Sequence, residues 1–144
     1  MALWLITIAL CLAADPVAPT SAVLCTVIEV HDGDTIIADM HLPFGIDLPR
    51  RSIRLYGADA LEVSRTRQTV GFITDEELAK GKIARDDLAK LLKTCDLYAE
   101  DSGHGDPYGR PSAILWAKPK DGKPWILIAA WLEQRGYLRT PRAK

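Results

Sequence analysis

Neither lysine nor arginine occurs before Arg50, and cysteine is limited to Cys11, Cys25 and Cys95. The cysteines lack the spacing of a metal site. Gly-x-Ser-x-Gly is absent, which excludes the nucleophile elbow of serine hydrolases. The glycines at 103, 105 and 109 precede no helix start, so they form no dinucleotide fingerprint. No internal repeat and no low-complexity segment occur beyond a short spacer, which excludes solenoids and arrays. His31, His41 and His104 are scattered without ligand spacing and read as turn or exposed residues rather than catalytic ones.

What remains is 144 residues with 48% hydrophobic and 26% charged side chains, the profile of one soluble domain with a real core. The net charge of -1 hides unevenness. From residue 15 to 49 there are six acidic residues and no cation; from 50 to 67 there are five arginines against Asp59 and Glu62. The stretch 74–106 is acidic, nine against five, and 110–144 is basic, eight against two. Such blocks can fold into a carboxylate cluster facing a cationic rim, although ordinary solvated faces are the plainer reading.

The uncharged apolar run from Met1 to Ala14 has the length of a secretory signal and is too short to span a bilayer comfortably. The expected organisation is a signal peptide and spacer over 1–22 and one domain over 23–144. The expected product is secreted or periplasmic, monomeric, and without a stable membrane span after processing. Leu10 is too bulky for a lipoprotein reading of Cys11. In an oxidising compartment Cys25 and Cys95 are expected to pair; in a reducing one they are buried thiols.

Thr26–Val30 and Thr35–Ala38 are rich in β-branched residues and flank Asp32-Gly33, which predicts a hairpin with positive φ at the glycine. Prolines 43 and 49 with Gly45 predict an extended loop over 41–49, and Ser52–Tyr56 alternates as a third strand. Thr74 and Glu77 form a capping box opening a helix whose apolar face is Leu78, Ala79, Ile83, Ala84, Leu88, Leu91 and Leu92, weakened by Gly81. Asp86 and Asp87 fall on its wet face. Strands at 95–99 and 112–117 and a helix over roughly 126–135, stopped by Gly136, complete the order. This predicts an α+β domain: a five-stranded Greek-key OB barrel with a helix between strands 3 and 4 and a C-terminal helix.

Asp34, Asp59 and Glu62 offer hard oxygens, and Arg54 and Arg110 offer planar forks suited to phosphate. Together they describe a metal-assisted phosphoryl site. From spacing alone, surface pairs of Arg54 with Asp59 and Arg110 with Asp106 come first.

Four stretches in order carry a family resemblance: Val30-His31-Asp32-Gly33-Asp34-Thr35, Arg54-Leu55-Tyr56-Gly57-Ala58-Asp59-Ala60-Leu61-Glu62, Asp106-Pro107-Tyr108-Gly109-Arg110, and Ala130-Trp131-Leu132-Glu133-Gln134-Arg135-Gly136-Tyr137. From Cys25 to about Arg139 the chain resembles the staphylococcal-nuclease-like (thermonuclease) family. The resemblance implies a Ca²⁺-dependent phosphodiesterase on an OB barrel, acting on single-stranded DNA or RNA. It assigns Asp34, Asp59 and the Ala60 carbonyl to Ca²⁺, Glu62 to the attacking water, and Arg54 and Arg110 to the scissile phosphate.

The chain departs from the pattern in places. Leu61 stands where the family usually has proline, so the aim of Glu62 loses a fixed φ. Pro107 replaces a phosphate-contacting lysine, and the stacking tyrosines of the thermonuclease have no counterpart. Weaker, less base-selective binding is expected, with Arg50, Arg51, Arg65 and Arg67 as alternative backbone contacts. The alternative reading is a catalytically weakened OB module that binds nucleic acid or protein; another is a small Ca²⁺-stabilised structural domain.

Overall fold

The computed structural model describes residues 15–65 and 73–139. The apolar run over 1–14, with Cys11, and Arg67 lie outside the described residues. The strands are β1 (Val23–Val30), β2 (Thr35–Leu42), β3 (Ile46–Leu55), β4 (Cys95–Asp101), β5 (Ser112–Pro119) and a short β6 (Ile126–Leu127). Helix α1 is Asp75–Lys93 and α2 is Ile128–Gln134. The sheet order is β3-β2-β1-β4-β5-β6, and β3 also pairs in parallel with β5, which closes the first five strands into an OB-fold-like barrel. The expected helix between β3 and β4 and the C-terminal helix are both present. Ile126 and Leu127, expected to begin the last helix, instead pair with Ala117 and Trp116.

β4 and β5 alternate buried and less buried residues, as a sheet with one core face requires. Ile36, Ile53, Leu97 and Leu115 fill the barrel, closed by Leu88 of α1 and by Ile128 and Leu132 of α2. Each such side chain contributes about 1.5–3 kcal/mol.

The stretch expected as a loop over 41–49 is mostly strand. Only Pro43–Gly45 forms a 3-10 turn between β2 and β3. Pro49 is tolerated in β3 because the ladder is interrupted there: pairing shifts between Ala38 and Met40, Arg50 has φ 48°, and its N–H donates to the Asp39 carboxylate at 2.8 Å.

The capping box of α1 is formed, with Glu77 N–H on the Thr74 hydroxyl at 3.1 Å and Thr74 N–H on the Glu77 carboxylate at 3.0 Å. The buried face is Gly81, Ala84, Leu88 and Leu92, in steps of three and four; Ala79 and Ile83, expected on it, are exposed. Gly81 is therefore a packing position and not a weak spot on the wet side. No described helix is long and apolar enough to cross a membrane.

Cys25 and Cys95 are buried free thiols, the second of the two states expected for them. The register sets Leu97, not Cys95, opposite Cys25. Diagonal neighbours two residues out of register are about 7–8 Å apart, beyond the usual 4.4–6.8 Å reach of a disulfide. Burial pushes the Cys25 thiol up to about 11.

Candidate functional site

The β1–β2 turn brings Asp34 inward. His31 and Asp32 N–H both donate to the Thr35 carbonyl, at 3.0 and 3.3 Å, and Asp34 N–H donates to the Asp32 carboxylate at 3.0 Å. Gly33 is not among the positive-φ residues, contrary to expectation. Its lack of a side chain serves a close approach instead: a Cβ there would lie 2.7 Å from the Ala60 Cβ.

Asp34 is buried, and both carboxylate oxygens are engaged. Oδ2 accepts the Ala60 N–H at 2.8 Å; Oδ1 accepts the Thr35 hydroxyl at 3.2 Å and the Arg54 guanidinium. The second terminal nitrogen of Arg54 reaches Asp59 at 3.2 Å. One guanidinium thus bridges two carboxylates beside the Ala60 backbone. Burial, helped by the Asp32 charge, pushes the Asp34 carboxyl up to about 7, while the Ala60 N–H and the Arg54 charge pull the other way.

The segment carrying Asp59, Ala60 and Glu62 is held from two sides. Residues following α2 run antiparallel to it: Arg139 N–H donates to the Asp59 carbonyl at 2.8 Å, Leu61 N–H to the Tyr137 carbonyl at 3.0 Å, and Ala60 bridges Leu138. The pairing draws on the carbonyls of Asp59 and Tyr137 and leaves that of Ala60 out of the ladder. The Tyr137 hydroxyl ties this strap to α1 through Asp87 at 2.6 Å, so Asp87 is not a purely wet-face residue. From the other side α1 abuts the backbone of Glu62 at Gly81. Leu61 uses for this contact an N–H that a proline would lack. The Glu62 carboxylate lies 3.7 Å from the Arg139 guanidinium, and both side chains are partly exposed.

Arg110 arrives from the β4–β5 loop. Pro111, its neighbour, accepts the Arg54 N–H at 2.8 Å where β3 and β5 pair. Its guanidinium forks onto Asp106, Nε and Nη2 each at 3.0 Å. That fork, together with the Tyr108 and Arg110 N–H groups, holds the Asp106 carboxyl down to about 2. The charges of Asp34 and Asp32 add to Asp106 in raising the Arg110 pKa.

Asp34, Arg54, Asp59 and Ala60 are thus joined by direct contacts. Glu62 is joined through backbone and Arg139, and Arg110 through strand pairing and charge. The surface pairs expected from spacing, Arg54–Asp59 and Arg110–Asp106, are also formed. Among the described residues no group of three His, Cys, Asp or Glu side chains is placed to hold a metal. Arg65 is committed to the Ile73 carbonyl and Asp75.

Sequence reasoning missed Arg139, Gly81 and Tyr56. A glycine in an otherwise regular helix was the available signal for the second; nothing local marked the first. Tyr56 stacks on His104 with centroids 4.6 Å apart and planes 19° apart. His41 bridges Thr26 and Asp47 across the hairpin, a structural role.

No known family pattern matches the chain, and no curated protein is similar to it at a significant level.

Proposed function

We propose that this domain is an exported, Ca²⁺-dependent endonuclease that hydrolyses phosphodiester bonds of single-stranded DNA or RNA with low sequence specificity. The observation that carries the reading is the Arg54 guanidinium bridging Asp34 and Asp59 beside the Ala60 backbone. Asp34 and Asp59, with the Ala60 carbonyl that lies outside the ladder, would hold Ca²⁺ through hard oxygens in place of the Arg54 guanidinium they now share. When bound, Ca²⁺ supplies positive charge against the phosphoryl oxygens.

In this reading Glu62, partly exposed and held at its backbone, accepts a proton from the attacking water. As the water oxygen bonds to phosphorus, the ester bond opposite breaks and the departing alkoxide takes a proton from solvent. Arg54 and Arg110 share the negative charge that gathers on the phosphoryl oxygens; in a partly desolvated site such fixed donors are worth more than in water. Arg110 must then exchange some of its contact with Asp106 for the phosphate.

The same contacts support a second reading, in which Arg54 and Arg110 serve as internal ion pairs and the domain binds nucleic acid or protein without turnover. Cleavage of single-stranded DNA with Ca²⁺, with EDTA, and for Glu62→Gln and Arg110→Ala separates the two. Turnover that needs Ca²⁺ and falls about 10²–10³-fold in either variant is expected. Binding without metal-dependent cleavage, or a Glu62→Gln rate within a few-fold of wild type, overturns the mechanism.

A further inference from the structure

The pattern of backbone bonds carries β3's ladder past its end. Arg54 N–H and Tyr56 N–H donate to the Pro111 and Ala113 carbonyls of the β5 side, each at 2.8 Å. Ile53 and Leu55 point into the core, so Arg54 and Tyr56 share the opposite face. Two residues of strand separate them, about 6.6 Å. Tyr56 as a residue remains 39% exposed, although its ring is stacked on the exposed His104.

His104 comes from the same loop as Arg110, and both line a cavity of about 330 Å³ that Tyr56 and Arg54 do not border. The loop is held in place. His104 Nδ1 donates to the Ser102 carbonyl at 2.8 Å, and the Ser102 hydroxyl donates to the Ser112 carbonyl at 2.7 Å. The carboxylates on the same rim have donors of their own: Glu100 accepts the Trp116 indole N–H at 2.9 Å and Asp101 the Gly103 N–H at 2.9 Å. A flat, pre-ordered pair of rings therefore lies along the strand from one phosphate-binding arginine and along the loop from the other.

We infer that the stacked Tyr56–His104 pair is a nucleobase platform, on which one unpaired base of a single-stranded substrate stacks while Arg54 and Arg110 hold the neighbouring phosphate. This rests on the nuclease reading above and adds to it where the base sits. Every base has a π-face, so the platform is sequence-tolerant, and a base inside a duplex is not free to reach it.

The test is affinity by fluorescence anisotropy, in EDTA so that nothing is cleaved, for a short thymidine oligonucleotide and an abasic oligonucleotide of the same length. Tyr56→Ala is expected to weaken binding of the base-bearing strand about 5- to 100-fold and to leave the abasic strand unchanged. Tyr56→Phe keeps the wild-type ratio, and His104→Ala gives a smaller loss in the same direction. Equal losses for both strands overturn the platform and make the stack a clamp on the Arg110 loop. No loss in Tyr56→Ala, with a melting temperature near wild type, also overturns it while leaving the nuclease reading standing. Wild-type protein that binds neither strand in EDTA, and neither of their cleavage-resistant phosphorothioate versions with Ca²⁺ present, removes the nucleic-acid reading and the platform together.

Discussion

Gly81 of α1 and Glu62 meet backbone to backbone: a Cβ at position 81 would lie 2.1 Å from the Glu62 carbonyl oxygen and 3.0 Å from that of Leu61. Gly→Ala inside a helix ordinarily gains about 1 kcal/mol. Here the methyl has no room, and Gly81→Ala is expected to destabilise by about 1–3 kcal/mol, as overpacked sites do. Chemical denaturation measures this; a gain in stability would show that α1 does not rest on the Glu62 segment.

Arg139 touches the same segment twice, through its N–H on the Asp59 carbonyl and its guanidinium near Glu62. Arg139→Ala keeps the first contact and loses the second. If the guanidinium restrains the Glu62 side chain, kcat falls about tenfold with KM little changed, and Arg139→Lys recovers part of the loss. A lower melting temperature with unchanged kcat would assign Arg139 to stability alone.

Asp34 sets a pH dependence. Its pKa in the folded protein, about 7, lies above its ordinary value of 3.8. Folding therefore favours the protonated form, and the contribution is complete below about pH 4 and lost as pH rises through about 7. In EDTA the wild-type melting temperature should fall more between pH 5 and 8 than that of Asp34→Asn. If Asp34 ligates Ca²⁺ as proposed, the bound ion reverses the preference, because the ligand must be ionised. Titration calorimetry should show affinity weakening up to about tenfold per pH unit below 7, with proton release on binding. An affinity flat across that range removes Asp34 as a ligand.

Cys25 and Cys95 should alkylate only after unfolding, without prior reduction, and reductant should leave the melting temperature unchanged. Peptide mapping by mass spectrometry checks both positions; recovery of a Cys25–Cys95 linked peptide contradicts the register.

Local chemistry made much of the fold legible. The β-branched runs either side of Asp32-Gly33, the Thr74–Glu77 capping box and the alternation in β4 and β5 are effects of neighbouring residues on one another, and each appears in the structure where it was expected. The misreadings came where distant chain decides. Pro43, Gly45 and Pro49 look like loop residues, yet a bulge and a tight turn absorb them within a long hairpin. Ile126 and Leu127 continue a helical spacing but meet an open edge of β5, and pairing wins.

The sequence by itself supplied the residue types for the proposed chemistry: Asp34, Asp59 and Glu62 carry carboxylates and Arg54 and Arg110 carry guanidinium groups, and their order in the four resembling stretches, not their local setting, sets them apart from ordinary surface ion pairs. It also determined the order of elements, since helix and strand periods and caps are local. Only the tertiary structure decided how that chemistry is held. Gly33 against Ala60, Gly81 against Glu62, the strap over 137–139 and the two thiols left out of register are contacts between segments far apart in the chain. Their geometry follows from strand register and helix docking, which no local pattern encodes.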